Sequence, residues 1–204
     1  MKLYVLLFIV LVSFSCKESN KINEEHTLDI INKKKEPKKE TKTKETYLCT
    51  INGKPWHYTK ASGIVSRHKK TKKREAIFTF TKKLEKGKEI VQLFYDGDTN
   101  QLEKANIHLK VLKKDGKRMT AMYTYSSNTT KFHPNAKISG AIDLSNPSNA
   151  SGNAEISKLD VRFDKNEVKN EADKIISAQG INFKGIGYSE AGKLFGSKGG
   201  ASNN

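Results

Sequence analysis

The sequence predicts an all-β fold: a single antiparallel β-sandwich or barrel domain of about 8–10 short strands with one late helix. Three observations carry this. From Tyr47 onward apolar and polar residues alternate with period two in short runs, the pattern of half-buried strands. Turn-forming pairs (Asn52-Gly53, Asp96-Gly97, Asp115-Gly116) break the chain at short intervals, as hairpin connections require. Most of the links are short, which favours up-and-down hairpins over long crossovers.

The elements follow in order. Tyr47–Ile51 is a short strand, and Asn52-Gly53 turns it back onto Pro55–Tyr58, which holds the only Trp. Gly63–Arg67 and Ala76–Thr81 flank a basic loop, and Gly87 marks the turn into Ile90–Tyr95. Ala105, Ile107, Leu109 and Val111 alternate with polar residues, and Asp115-Gly116 turns this strand onto Met119–Tyr125. Ile138–Leu144 and Ala154–Phe163 read as strands separated by the turn-rich SNPSNASG. Glu167–Ala178, with Val168, Ala172, Ile175 and Ile176 at roughly helical spacing, is the helical candidate. Gly180 would cap it, and Ile181–Tyr188 is a last strand. The domain is expected over 47–190, with a flexible Gly/Ser/Asn-rich tail over 191–204.

The first sixteen residues, MKLYVLLFIVLVSFSC, place the protein. Lys2 precedes ten consecutive apolar residues, Leu3–Val12, and small residues follow, the layout of a secretory signal peptide. The run is too short for a bilayer span, which needs about twenty residues. The ending Ser13-Phe14-Ser15-Cys16 resembles the lipobox of bacterial lipoproteins, in its serine-rich Bacteroidota form. The resemblance implies cleavage of residues 1–15 and acylation of Cys16 with diacylglycerol and palmitate. Two or more chains hold a protein stably at a membrane. It also implies a lipid anchor in the cell outer membrane, on the periplasmic face or the cell surface. Residues 16–46 then form a charged tether of low apolar content, unable to offset the entropy of ordering. Its root-mean-square reach is about 30 Å.

Cys16 and Cys49 are the only cysteines. With Cys16 lipidated no disulfide framework exists, and Cys49, within an apolar alternation, reads as a buried small hydrophobe rather than a nucleophile.

The formal net charge is +16, and it is regional. Residues 67–88 carry ten basic and two acidic side chains, and residues 104–118 six and one. The loop with Arg67, Lys69, Lys70, Lys72, Lys73 and Arg74 would project as a cationic finger, with Lys113, Lys114, Lys117 and Arg118 at another turn. Such clusters bind polyanions by charge neutralisation and counterion release. They also serve as solvated edges that keep strands from pairing with other chains. The anticipated partners are the membrane, through lipid, and an anionic glycan, lipopolysaccharide or envelope protein. Specific nucleic-acid binding is not expected, because no aromatics interleave the basic run to stack bases.

Other chemistry is thin. Asp96, Asp98 and Asn100 offer oxygens at i, i+2 and i+4, like the start of a Ca²⁺ loop. Position six is Gln101 and no Glu stands at position twelve, so a turn explains the same residues. His57, His68, His108 and His133 have no zinc-ligand spacing. No nucleophile elbow, phosphate loop or paired-carboxylate signature is present, so neither an enzyme nor a cofactor beyond the covalent lipid is expected. The expectation is a lipid-anchored binding module. Two other readings compete: an accessory of an envelope complex using Trp56, Tyr123 and Tyr125 as an interface, and a carrier of small apolar ligands inside a barrel.

Overall fold

The computed structural model of the chain describes residues 44–68 and 71–191. The expected signal peptide, Cys16, the expected tether up to residue 43, Lys69, Lys70 and the expected tail from residue 192 lie outside the described residues.

Twelve strands follow one another among the described residues: β1 (Thr46–Ile51), β2 (Lys54–Tyr58), β3 (Lys60–Arg67), β4 (Arg74–Lys83), β5 (Lys88–Asp96), β6 (Leu102–Leu112), β7 (Arg118–Tyr125), β8 (Lys137–Ser139), β9 (Ile142–Asp143), β10 (Ala150–Asp160), β11 (Ile175–Ile186) and β12 (Tyr188–Glu190). They build an all-β sandwich of two sheets. The first has the order β2-β1-β11-β10-β8, with β9 also on β10; the second is β12-β3-β4-β5-β6-β7. Strands β3 to β7 form an antiparallel meander of neighbours. β12 leaves the first sheet after β11 and joins β3 in parallel, Tyr188 opposite Gly63.

The period-two pattern sets the faces. In β4, Ala76, Phe78 and Phe80 are fully buried while Ile77, Thr79 and Thr81 lie half-exposed on the outer side. In β5 and β6, Val91, Leu93, Tyr95, Ala105 and Ile107 turn inward in the same way. Asn52 (φ +47°) and Gly53 (φ +76°) both occupy the left-handed region, the requirement of a type I′ hairpin turn. The Asn52 side chain also ties distant chain together. Its amide donates to the carbonyls of Ala172 (2.7 Å) and Ile175 (3.1 Å), and its oxygen accepts the Ser177 N–H at 2.8 Å.

The late helix over Glu167–Ala178 does not form. Two 3-10 turns, Lys165–Glu167 and Glu171–Asp173, lead into β11, which runs from Ile175 through Gly180 to Ile186. Ile176 and Ala178 face the core and pair with Leu159 and Ile156 of β10, while Ile175 is outward and 45% exposed. A run of Ile-Ile-Ser-Ala satisfies either period locally, and pairing with β10 decides it. Gly180 (φ +64°) is accordingly no helix cap but an irregularity within a strand.

Aromatic rings join the two sheets. Phe183 of β11 stacks on Phe78 (centroids 5.2 Å apart), tilts onto Phe80 (5.1 Å) and reaches Tyr95 (6.5 Å). Its ring occupies the space where a side chain at residue 152 would stand: a Cβ on Gly152 would lie 2.7 Å from Phe183 Cζ. The polar tips of buried aromatics are bonded, Tyr95 Oη to the Asn153 carbonyl at 3.0 Å, Tyr123 Oη to the Asp173 carbonyl, and Trp56 Nε1 to Glu89 Oε2 at 3.0 Å. Cys49 is fully buried, and burial, with the Glu155 charge, pushes its thiol up to about 12, so it remains a protonated core residue.

Phe183→Ala should lower unfolding stability by about 3–5 kcal/mol, read as a shift in urea midpoint. Gly152→Val should destabilise comparably by displacing the same ring. A loss under about 1 kcal/mol for both would disprove this account of how the sheets are joined.

Candidate functional site

The basic turns are placed by the parity of the meander. Each antiparallel strand reverses direction, so the β3–β4 and β5–β6 turns share one end of the second sheet and the β4–β5 and β6–β7 turns share the other. Arg67 pairs with Arg74 at the first end, and Leu112 with Arg118 at the second. The ends are about 30 Å apart, the length of β4 at about 3.3 Å per residue. The eight described basic residues of those singled out in the sequence therefore do not make one surface.

At the first end three of the described cations, Arg67, Lys73 and Arg74, are matched by acids. Arg67 lies 3.8 Å from Asp98, Lys73 lies 3.1 Å from Asp96 and also meets Glu103, and Arg74 lies 3.5 Å from Glu190. Lys72 carries its backbone at φ +59° in the turn, and its carbonyl accepts the Arg67 guanidinium at 3.1 Å. The bond to Glu103, then those to Asp96, hold the Lys73 ammonium above its ordinary range.

The same pairing accounts for Asp96, Asp98 and Asn100. Asp96 Oδ1 accepts the N–H groups of Asp98 (2.8 Å) and Thr99 (2.9 Å). These bonds, that of Thr99 foremost, and Lys73 hold its carboxyl below the usual range. Asp98 accepts the Arg74 N–H at 3.3 Å, and the Asn100 carbonyl accepts the Ile142 N–H at 3.0 Å. The acceptors are directed at backbone and lysine, as in a tight turn. Among the described residues no group of three or more His, Cys, Asp or Glu is gathered as a metal site.

The second end is different. Lys113 and Lys117 share Asp115, at 3.9 and 3.6 Å, and Lys113 also meets Glu167 at 3.4 Å. On the outer sheet face beside them, each of five successive strands presents a cation: Lys60 on β3, Lys83 on β4, Lys88 on β5, Lys110 on β6 and Arg118 on β7. Register sets the order of the row. Lys83 is opposite Lys88, Lys60 is opposite Thr81, two residues from Lys83, and Lys88 and Lys110 each lie two residues beyond the last β5–β6 pair, Ile90–His108. Five strands span about 19 Å at about 4.8 Å each. None of the five forms an ion pair among the described residues. Lys110 Nζ donates to Thr120 Oγ1 at 2.7 Å. The nearest acid in register, Glu89, is turned inward, where it accepts Trp56 Nε1 (3.0 Å) and the Lys110 N–H (3.1 Å). Glu85, in the turn before Lys88, is the one carboxylate of that turn. His108 sits in this face, and burial, then Lys88, lowers its pKa. Lys83 and Lys88 belong to the same basic stretch, 67–88, as the finger loop, but β4 lies between and puts them at the other end of the sheet.

A second feature lies in the first sheet: a cleft of about 850 Å³ lined by Thr46 and Tyr47 of β1, Tyr58 of β2, residues 141–143 and 151–153, and 182–184 of β11. Nothing in the local sequence marks it, because it forms where β1 and β11 part. The expected aromatic interface is not assembled: Trp56 and Tyr123 are buried, 4% and 0% exposed. Tyr125 packs against the core from its edge. Comparison with known proteins finds no match: no family model, curated sequence or solved structure resembles the chain.

His133 is 4% exposed, and its Nδ1 has no hydrogen-bond partner among the described residues. Burial lowers its pKa; Asp160, 4.0 Å away, opposes the shift, and Arg162 and Lys165 add to it. Both His108 and His133 therefore bind a proton less readily folded than unfolded. Their contribution to stability is full above the ordinary His value of 6.5 and is lost as pH falls below it. Urea midpoints should decline between about pH 7 and 5, and His133→Leu should flatten part of that slope. An unchanged slope in His133→Leu would show that His133 is not depressed in the fold.

Proposed function

We propose that the protein is a lipid-anchored, extracytoplasmic outer-membrane lipoprotein whose β-sandwich binds anionic polymers, phosphate-bearing lipopolysaccharide or acidic polysaccharide. The observation that carries the reading is the row Lys60, Lys83, Lys88, Lys110 and Arg118 on one sheet face, with no carboxylate paired to any of the five among the described residues.

A flat row of unpaired cations suits a repeating anion. Each contact releases condensed counterions, so affinity accrues charge by charge without requiring a shaped pocket. Lys113, Lys114 and Lys117, at the adjoining turn, extend the row toward the β6–β7 end. The acid-matched turn bearing Lys73 and Arg74 offers little to an anion, since binding there would have to displace Asp96, Glu103 and Glu190. The lysines hold one further advantage as a recognition face: on strands they are fixed in spacing, unlike the same charges on a tether.

The membrane anchor rests on Ser13-Phe14-Ser15-Cys16. Cys16→Ser should abolish palmitate labelling and release the protein from the membrane fraction. Retention with persistent labelling would refute lipidation at this cysteine.

For the binding face, the triple variant Lys83→Ala/Lys88→Ala/Lys110→Ala should elute from heparin at lower salt than the parent. The slope of log affinity against log salt should shrink by about two to three. Lys73→Ala, whose ammonium is already paired, should elute as the parent does. Sedimentation with lipopolysaccharide, and with a carboxylated polysaccharide, separates the two sources of anion. Equal elution of triple variant and parent would overturn the proposal.

A further inference from the structure

The first sheet is split. β1 pairs with β2 along its whole length, from Thr46 opposite Tyr58 to Ile51 opposite Lys54. With β11 it pairs only at Thr50–Gln179 and Ile51–Ala178. β11 goes on pairing with β10 beyond that point, at Ile181–Ala154, Asn182–Asn153, Phe183–Gly152 and Ile186–Ala150. The change occurs at Gly180, whose φ of +64° breaks the strand geometry and whose N–H is taken by Glu155 Oε1 at 2.8 Å instead of by a neighbouring strand. Past Gly180 the two strands diverge, and the cleft of about 850 Å³ lies there. That volume is within the range of small-molecule sites, about 300–1,000 Å³.

The chemistry of its walls is selective. Tyr95, Tyr123 and Tyr188 donate their hydroxyls to carbonyls of the fold. Tyr47 and Tyr58, which line the cleft, make no such bond among the described residues. Thr46, Ser151, Asn182 and Lys184 line it as well, likewise without a side-chain hydrogen bond among the described residues. Asn153 uses its oxygen on the Ala141 N–H (3.2 Å), leaving its amide donor. The set is rich in hydroxyls and amides, groups that both donate and accept, beside the exposed ring of Tyr47; Tyr58 and Phe183 also line it, with their rings packed on Phe80. Charge is balanced between Lys184 and Asp143, whose carboxyl the Ser145 N–H keeps low in pKa and ionised.

We propose that this cleft is a binding site for a short neutral oligosaccharide, separate from the cationic sheet face. A sugar has the matching surface: hydroxyls that donate and accept along its rim, and an apolar C–H face that lies against an aromatic ring. A purely apolar ligand would leave these hydroxyls and amides without partners wherever it excluded water, at a desolvation cost for each group. A polyanion would meet the Asp143 carboxylate. An extended peptide added to the open edges of β1 and β11 would draw mainly on backbone groups, whereas the unengaged groups here belong to side chains.

The test uses the full chain with Cys16→Ser, and cellotetraose, maltotetraose and chitotetraose as probes, read by amide chemical shifts in NMR. At least one tetraose should shift the side-chain amides of Asn153 and Asn182 and the backbone of Tyr47. Tyr47→Ala/Asn182→Ala, both at exposed positions, should weaken that binding about tenfold or more. Lys83→Ala/Lys88→Ala/Lys110→Ala should leave it unchanged, which keeps the outcome independent of the polyanion reading. The proposal is overturned by an absence of cleft shifts with all three probes up to about 10 mM. It is overturned equally by undiminished binding in Tyr47→Ala/Asn182→Ala, or by a heparin tetrasaccharide or an extended peptide occupying the cleft in preference.

Discussion

The ring of Phe183 is the contact on which the sandwich depends. It comes from the first sheet and lies among Phe78, Phe80 and Tyr95 of the second, at centroid distances of 5.1–6.5 Å. Burying such a ring stabilises by about 1.5–3 kcal/mol, and each aromatic pair adds about 0.5–1.5 kcal/mol beyond that. The contact demands a bare backbone at Gly152, its partner across the β10–β11 ladder. Because Phe183 also lines the cleft, the core and the proposed sugar site share a residue. The cleft is therefore anchored on core packing, while its Tyr47 rim is half-exposed.

Charge follows a separate logic, set by strand count. Basic residues at the β3–β4 turn meet the acids of the next turn but one, since both turns share an end. Basic residues at the β4–β5 and β6–β7 turns share the other end, where the acids are fewer and one of them, Glu89, is turned inward. Among the described residues of the second sheet, local neutralisation at one end thus leaves the unpaired cations gathered toward the other. The field that a distant anion would meet is weighted toward one end of one sheet.

The strands were legible because alternation and turn chemistry agree. Ala76-Phe78-Phe80 and Ala105-Ile107 face the core as their period dictates, and Asn52-Gly53 makes the turn that its residues favour. The helix over Glu167–Ala178 misread residues whose local pattern is ambiguous; the deciding partner, β10, is distant in sequence. The separation of the basic turns was legible in principle. Three strands lie between the loop at Arg67–Arg74 and that at Leu112–Arg118, and an odd number in a meander puts two turns at opposite ends. The cleft was not legible. It arises from Gly180 breaking one strand while β1 ends its pairing after two residue pairs, and neither event leaves a periodic trace.

The pairing of β1 with β11 carries a consequence for the order of assembly. Strands β3 to β7 each pair with a chain neighbour, so their loops close at small entropic cost. β1 must wait for residues near Ala178, and Asn52 for Ser177, 125 positions later. During synthesis, the meander can form while the first hairpin still lacks its sheet. Its inner face, with Phe78 and Phe80, stays uncovered until Phe183 arrives. The interval before the last strands dock is when this chain is most exposed to aggregation, and a chain cut short before Ile175 would never leave it.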